Sequence, residues 1–187
     1  MDNFLSLFDK FPSIDADSKQ KFASYWVEFD IEKGSLLEKE GQVSHNLYYF
    51  NEGSARSFYI RDNREITISF TLDREFTAAM HSFITRKPSY ENIETLEKSK
   101  VLRISYESLQ KCFVEIPAIE SAYRKILEQY YIVLEEKQIF SKFKSARDRY
   151  LDLMENRPKV IQKASVGQIA SFLDMTIETL SRIRAKI

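Results

Sequence analysis

The sequence predicts an α+β fold in three parts. These are an antiparallel β-roll or jelly roll over residues 1–116, a long helix over 117–145 and a small helical domain over 146–187. Three observations carry this. Short runs rich in β-branched and aromatic residues alternate with turn-like groups between about residues 25 and 105. An apolar stripe in steps of four and three residues then follows Pro117. Last come two short amphipathic segments around a tight turn, the spacing of a helix-turn-helix.

Residues 1–24 read as helical and connecting, with Phe4, Leu7, Phe8 and Phe11 at helical spacing and Pro12 stopping the pattern. From Tyr25 the period changes. The runs YWVEFDI, SLLEKE, NLYYF, ARSFYI, EITISFTL and VLRISY are separated by Lys33-Gly34, Glu40-Gly41, Asn51-Glu52-Gly53 and Asp62-Asn63. The glycines fall where a turn needs positive φ without a Cβ penalty. Beyond Pro117 a helix is expected to about Phe143. Ile119, Tyr123, Ile126, Tyr130, Val133, Lys137 and Phe140 form its heptad stripe, with Lys137 the one polar interruption. Leu127, Tyr131 and Leu134 widen that face. Such a stripe suits a seam between two copies, with an ordinary core helix as the alternative.

After Arg157-Pro158, Ser165 and Gln168 make a capping-box pattern, and Val166, Ile169, Ala170 and Leu173 form the expected inner face of a two-turn helix. Asp174 and Met175 supply the turn. Thr176 caps a second helix, Glu178 sits in its first turn, and Leu180, Ile183 and Ile187 are expected to face inward. Ile177, Glu178, Ser181, Arg182 and Ala185 then share the outward side. An arginine can donate twice to guanine, a carboxylate can accept from cytosine, and an apolar side chain can meet a thymine methyl. Thr176 and Thr179 are placed for phosphate oxygens beside the helix N-terminus. The alternative is a helical hairpin whose polar face is merely solvated.

Composition excludes other classes. With 187 residues and 43% hydrophobic side chains the chain can fill a core. It contains no apolar run of membrane-spanning length, and the first residues lack a signal-peptide pattern, so a cytoplasmic protein without a membrane partner is expected. Cys112 is the single cysteine, which rules out an internal disulfide and a four-cysteine cluster, and reads as a core residue. His45 and His81 are isolated and read as ordinary surface or core residues, so no metal or cofactor is expected. A Gly-rich phosphate loop, a Gly-x-Ser-x-Gly elbow and a nucleophile with a spaced histidine are all missing, so no enzyme is predicted. Lysines and arginines balance aspartates and glutamates at 28 each, but from residue 141 onward ten basic residues face five acidic ones. That is the footprint of a protein that meets phosphates at one end, although a solvated helical face would have the same composition.

The string IASFLDMTIETLSRIR resembles the helix-turn-helix signature of the Crp/Fnr transcription regulators, with Glu178, Thr179, Ser181 and Arg182 in the places of the family's Glu-Thr-x-Ser-Arg helix. RDRYLDLMENRP is similar to that family's link between dimer helix and DNA-binding domain. EKGSLLEKEGQVSHNLYYFNEGSARSFYI and YENIETLEKSKVLRIS look like its cyclic-nucleotide-binding-type roll. The resemblance implies a dimeric DNA-binding regulator, with Thr176, Ile177, Glu178, Thr179, Ser181 and Arg182 on DNA and a small-molecule effector in the roll. RNA polymerase would be a further partner of an activator.

Three departures matter. Cyclic-AMP-binding members carry a Gly-Glu pair and, further on, an Arg followed by a small hydroxyl residue. Here those places read Glu75-Phe76-Thr77 and Lys87-Pro88-Ser89-Tyr90-Glu91. A cyclic phosphate needs a fixed guanidinium and amide donors, and an acidic residue there opposes it. The candidate effector pocket is therefore Glu75, Phe76, Thr77, Arg86, Lys87, Ser89 and Tyr90, with Arg86 or Lys87 able to substitute from a shifted register, and the expected effector is not a cyclic nucleotide. Second, the cysteine cluster and haem chemistry of other branches are absent. Third, the two-stranded wing that follows the recognition helix in many members is expected to be short or absent. The rival reading is a dimeric ligand- or protein-binding regulator that has lost sequence-specific DNA reading.

Overall fold

Short runs rich in β-branched and aromatic residues form most of the eight strands among the described residues. In the computed structural model, which describes residues 2–187, they form two antiparallel four-stranded sheets. The first has the order β1 (Val27–Ile31), β8 (Ser99–Ser105), β3 (Asn46–Glu52), β6 (Phe76–Thr77). The second has β2 (Leu36–Glu38), β7 (Asn92–Thr95), β4 (Ala55–Arg61), β5 (Arg64–Thr71). Tyr48, Phe50 and Val101 of the first sheet meet Ala55 and Ile93 of the second in a shared core. The β4–β5 hairpin turns at Asp62 and Asn63, with φ of 50° and 59°. Two consecutive positive φ values are the type I′ geometry that matches strand twist.

All six predicted strand runs are strands, but four elements escape the pattern. β6 has only two residues and β7 reads Asn-Ile-Glu-Thr, too polar to register as a run. The six-residue α3 (Met80–Thr85) ends on Arg86 at φ 58°, a left-handed cap supplied without glycine. α4 (Tyr106–Glu115) starts at Ser105, which accepts the Ser108 amide, and continues directly out of the last strand.

The N-terminal segment forms α1 (Asp2–Leu5), a 3-10 turn (Ser6–Phe8) and α2 (Ala16–Ala23). Phe4, Phe8, Phe22 and Trp26 pack there with Tyr49, Leu109, Cys112 and Ile119. Pro117 occupies the first turn of α5 (Pro117–Ser141), where its missing N–H breaks no bond. α6 (Ala146–Asn156) begins with a Ser145–Asp148 capping box, and α7 (Pro158–Lys163), α8 (Val166–Phe172) and α9 (Ile177–Arg184) complete the helical end.

This end docks on the roll. Phe70 and Leu96 of the roll enter the core formed by Tyr150, Leu153, Val160, Ile169, Ala170, Leu173 and Leu180. Phe70 meets Phe172 edge-on at 5.0 Å, and the Thr67 amide donates to Ser171 Oγ at 3.0 Å. Two inward assignments are corrected. Val166 in the first turn of α8 and Ile187 beyond α9 are exposed, because each lies at the margin of an apolar arc whose centre Ile169, Ala170, Leu173 and Leu180 fill, with Ile183 packed against them. Among the described residues no helix is long and apolar enough to cross a membrane.

Candidate effector cavity and candidate nucleic-acid interface

The helical pair is set by its caps. Ser165 accepts the Gln168 amide at 3.2 Å and Gln168 Oε1 accepts the Ser165 amide at 2.8 Å. The chain reverses at Asp174, whose φ of 52° is tolerated by an Asx side chain. Arg149 of α6 holds this turn, donating to the carbonyls of Leu173 at 3.0 Å and Asp174 at 3.3 Å. Thr176 then accepts the Thr179 amide at 3.2 Å and opens α9.

On α9, Thr176, Ile177, Glu178, Ser181 and Arg182 are exposed and Thr179 is half-buried. Arg182 lies along the helix, donating to Thr179 Oγ1 at 3.2 Å. The Glu178 carboxyl is held below its usual range by its own backbone amide, then by Thr176 and Arg182, so it stays ionised at neutral pH. Arg147, Thr179, Arg182, Ile183 and Lys186 line a shallow depression of about 350 Å³. Arg147 and Lys186 bring charge from outside the expected reading set. In sequence they are only two among ten basic residues.

Much of that basic excess is internally paired. Lys159 bonds Asp73 at 2.7 Å and Glu97 at 3.0 Å, Lys163 bonds Glu97 at 2.7 Å, and Arg157 grips Glu75 through both oxygens at 2.7 and 2.6 Å. Burial raises the Glu97 carboxyl, but hydrogen bonds from Lys163, Ser54 and Lys159 outweigh it and hold it at about 2. These pairs tie the helical end to the roll.

Between β5, β6, α5 and the helices α6 and α8 lies an open cavity of about 1010 Å³, mostly apolar in lining. Of the predicted effector residues, Glu75, Phe76 and Thr77 line it, but Arg86, Lys87, Ser89 and Tyr90 do not. Arg86 is held elsewhere, donating to the carbonyls of Ser44 (2.6 Å) and Phe83 (2.9 Å) and stacking over Tyr106. Ser89 donates to the Glu91 carbonyl, Tyr90 stacks on His81, and Lys87 is exposed. The two halves of the expected pocket are therefore not brought together. The left-handed cap at Arg86 turns the second half away. What the sequence reading missed is Glu91, with Ser57 and Thr71, in the cavity wall. Burial pushes the Glu91 carboxyl up, against a hydrogen bond from Ser57. Glu38 is pushed up to about 7, chiefly by burial, with the Glu91 charge adding and the Arg86 charge opposing.

The heptad stripe also needs correction. Ile119 is 1% exposed in the chain's own core, and Tyr123 and Ile126 pack against that core. Tyr130, Val133 and Phe140 line the cavity while remaining substantially exposed. Lys137 reaches inward, donating to the Ile68 carbonyl at 3.0 Å with its ammonium over the Phe172 ring at 4.2 Å. The stripe thus serves the chain's own cleft first, because α5 starts flush against the roll. Residues 131–140 are all exposed, Tyr131, Ile132 and Ile139 among them.

Residues 28–115 match the cyclic nucleotide-binding domain family. No match is found among curated protein sequences. Among solved structures, the chain is similar to the c-di-GMP responsive global regulator CLP of Xanthomonas campestris, at TM-score 0.72 and 21% identity over 92% of this chain and 91% of that one. It is also similar to FixK2 of Bradyrhizobium japonicum, at TM-score 0.69 and 17% identity over 86% and 83%. The Thermus thermophilus catabolite activator protein matches at TM-score 0.60 and 16% identity, over 94% and 84%. At such identities the likeness is one of fold.

Proposed function

We propose that this cyclic-nucleotide-binding-type roll, long helix and helical end form a DNA-binding transcription regulator of the Crp/Fnr type. It works as a homodimer, places α9 in the major groove and answers to an effector other than a cyclic nucleotide. The observation that carries the reading is α9 itself. Its exposed face holds Glu178, Ser181 and Arg182 on a helix fixed by the Thr176 cap and the Arg149 clamp, beside a basic depression formed with Arg147 and Lys186. A rigid helix with base-edge donors and flanking cations is what major-groove reading requires. The global regulator CLP shares the fold over 92% of the chain and FixK2 over 86%.

Dimerisation is supported by α5. A helix of 25 residues leaves Tyr131, Ile132 and Ile139, none of which lines the cavity, in solvent along its second half, apolar surface that a lone chain does not cover. A second copy laid along it would bury this face and pair two recognition helices. Selection of bound duplexes from a random pool tests the reading. It should enrich a near-palindrome whose half-sites lie about one helical turn apart. A pool with no enriched motif at moderate salt would favour a regulator that binds protein or ligand without reading DNA.

A further inference from the structure

The cavity beneath α5 differs in charge from a site for an anion. Nine charged side chains line it, and each cation among them is already engaged. Arg157 holds Glu75, Lys144 holds Asp152 at 3.2 Å, Arg149 holds the carbonyls of the α8–α9 turn, and Lys137 holds the Ile68 carbonyl. Three carboxylates remain, of which Glu136 and Asp174 lie exposed at the rim. Glu91 alone sits within, half-buried, with a Ser57 hydrogen bond and no ion pair among the described residues.

Its surroundings sharpen the point. Glu38, 7% exposed and outside the cavity lining, is a second desolvated acid, raised by the Glu91 charge and lowered by the Arg86 charge. A desolvated carboxyl without an ion pair is stabilised in its charged form by a cation beside it and opposed by a phosphate. Around Glu91 the cavity wall is apolar and aromatic, with Phe70, Phe76, Tyr130 and Trp26. Trp26 is 5% exposed and its indole N–H has no acceptor among the described residues. A cavity near 1000 Å³ with a few polar anchors is of the size that takes a small organic molecule.

We propose that this cavity binds a largely apolar small molecule bearing a positive charge, seated against Phe76 and Tyr130 with its cationic end on Glu91 and Ser57. The proposal rests on the regulator reading only for its consequence. Because the wall is shared by the roll, α5 and the α6–α8 end, an occupant there touches the surfaces that hold the recognition helix in place.

The test uses the full chain without DNA, so its outcome is independent of whether α9 reads a sequence. Two fluorescent probes share a dansyl ring system, one ending in an alkylammonium (dansylcadaverine) and the other in a carboxylate (dansylglycine). Trp26, the single tryptophan, lines the cavity and acts as energy donor. Dansylcadaverine should bind saturably, with quenching of Trp26 and sensitised dansyl emission, and at least about tenfold more tightly than dansylglycine. Glu91→Gln should erase most of that preference, while thermal melts report whether the variant folds. The comparison of the two probes on the unaltered protein needs no variant. Equal binding of the two, preference for the carboxylate, saturation without a change at Trp26, or displacement of the cationic probe by cyclic AMP would each overturn the proposal.

Discussion

Replacing Glu97 by glutamine should loosen the helical end from the roll, with an effect that depends on pH in a defined direction. Glu97 receives Lys159 at 3.0 Å, Lys163 at 2.7 Å and the Ser54 hydroxyl at 2.8 Å. A carboxyl held at about 2 instead of 4.5 corresponds to a ceiling of about 3 kcal/mol, at about 1.4 kcal/mol per pH unit. The side chain keeps 21% of its surface and its lysines 27% and 37%, so solvent screening reduces the expectation to about 1–2 kcal/mol. The folded-state value is depressed. The contribution is therefore complete above the unfolded value near 4.5 and disappears as pH falls through about 2. Urea unfolding of the wild type and Glu97→Gln from pH 7 down to pH 2.5 measures the difference directly. It should be largest at pH 7 and shrink below pH 4.5. A difference under about 0.3 kcal/mol at pH 7, or one that does not change with acid, would refute the reasoning.

Gly53→Ala should destabilise the roll by more than about 1–3 kcal/mol in the same unfolding assay. Gly53 has φ of +120°, and a Cβ there would overlap the Ser99 side chain and come within 2.9 Å of its Cα. Light scattering at micromolar concentration should find a dimer. Ile132→Glu combined with Ile139→Glu, two exposed positions on α5, should convert it to a folded monomer. A wild-type monomer would remove the dimer from the account. Arg147→Ala should weaken DNA binding about equally for all sequences and lower the salt slope by about 1, whereas an unchanged slope would mean that the basic depression meets no phosphate.

The sequence shows the elements whose signal is local. Strand runs bounded by glycine turns, the Ser165–Gln168 box and the Thr176 cap specify their geometry within a few residues, and the structure has each of them. Features set by tertiary contact are hidden. The polar strand β7 is a strand because β2 and β4 flank it, and Arg86 adopts a left-handed cap because Ser44, Phe83 and Tyr106 hold its side chain. The heptad stripe of α5 was legible as apolar, but periodicity cannot say whether the partner is a second copy or the chain's own roll. Lys137, an interruption on a seam, is a tether on the structure, reaching β5 and α8 at once. For the site, the reading face of α9 is written in adjacent residues. The cavity instead gathers Ser57, Thr71 and Glu91 from separate strands and loops, and no spacing rule joins them.

The most direct test of the central claim is fluorescence anisotropy with the palindrome enriched by selection and a scrambled duplex of equal length, at fixed moderate salt. The account predicts two chains per duplex and preference for the palindrome of at least about a thousandfold. Arg182→Ala should lose about 1–3 kcal/mol of that preference at one base pair in each half-site. Equal affinity for the two duplexes, or an Arg182→Ala variant that discriminates as well as the wild type, would contradict it.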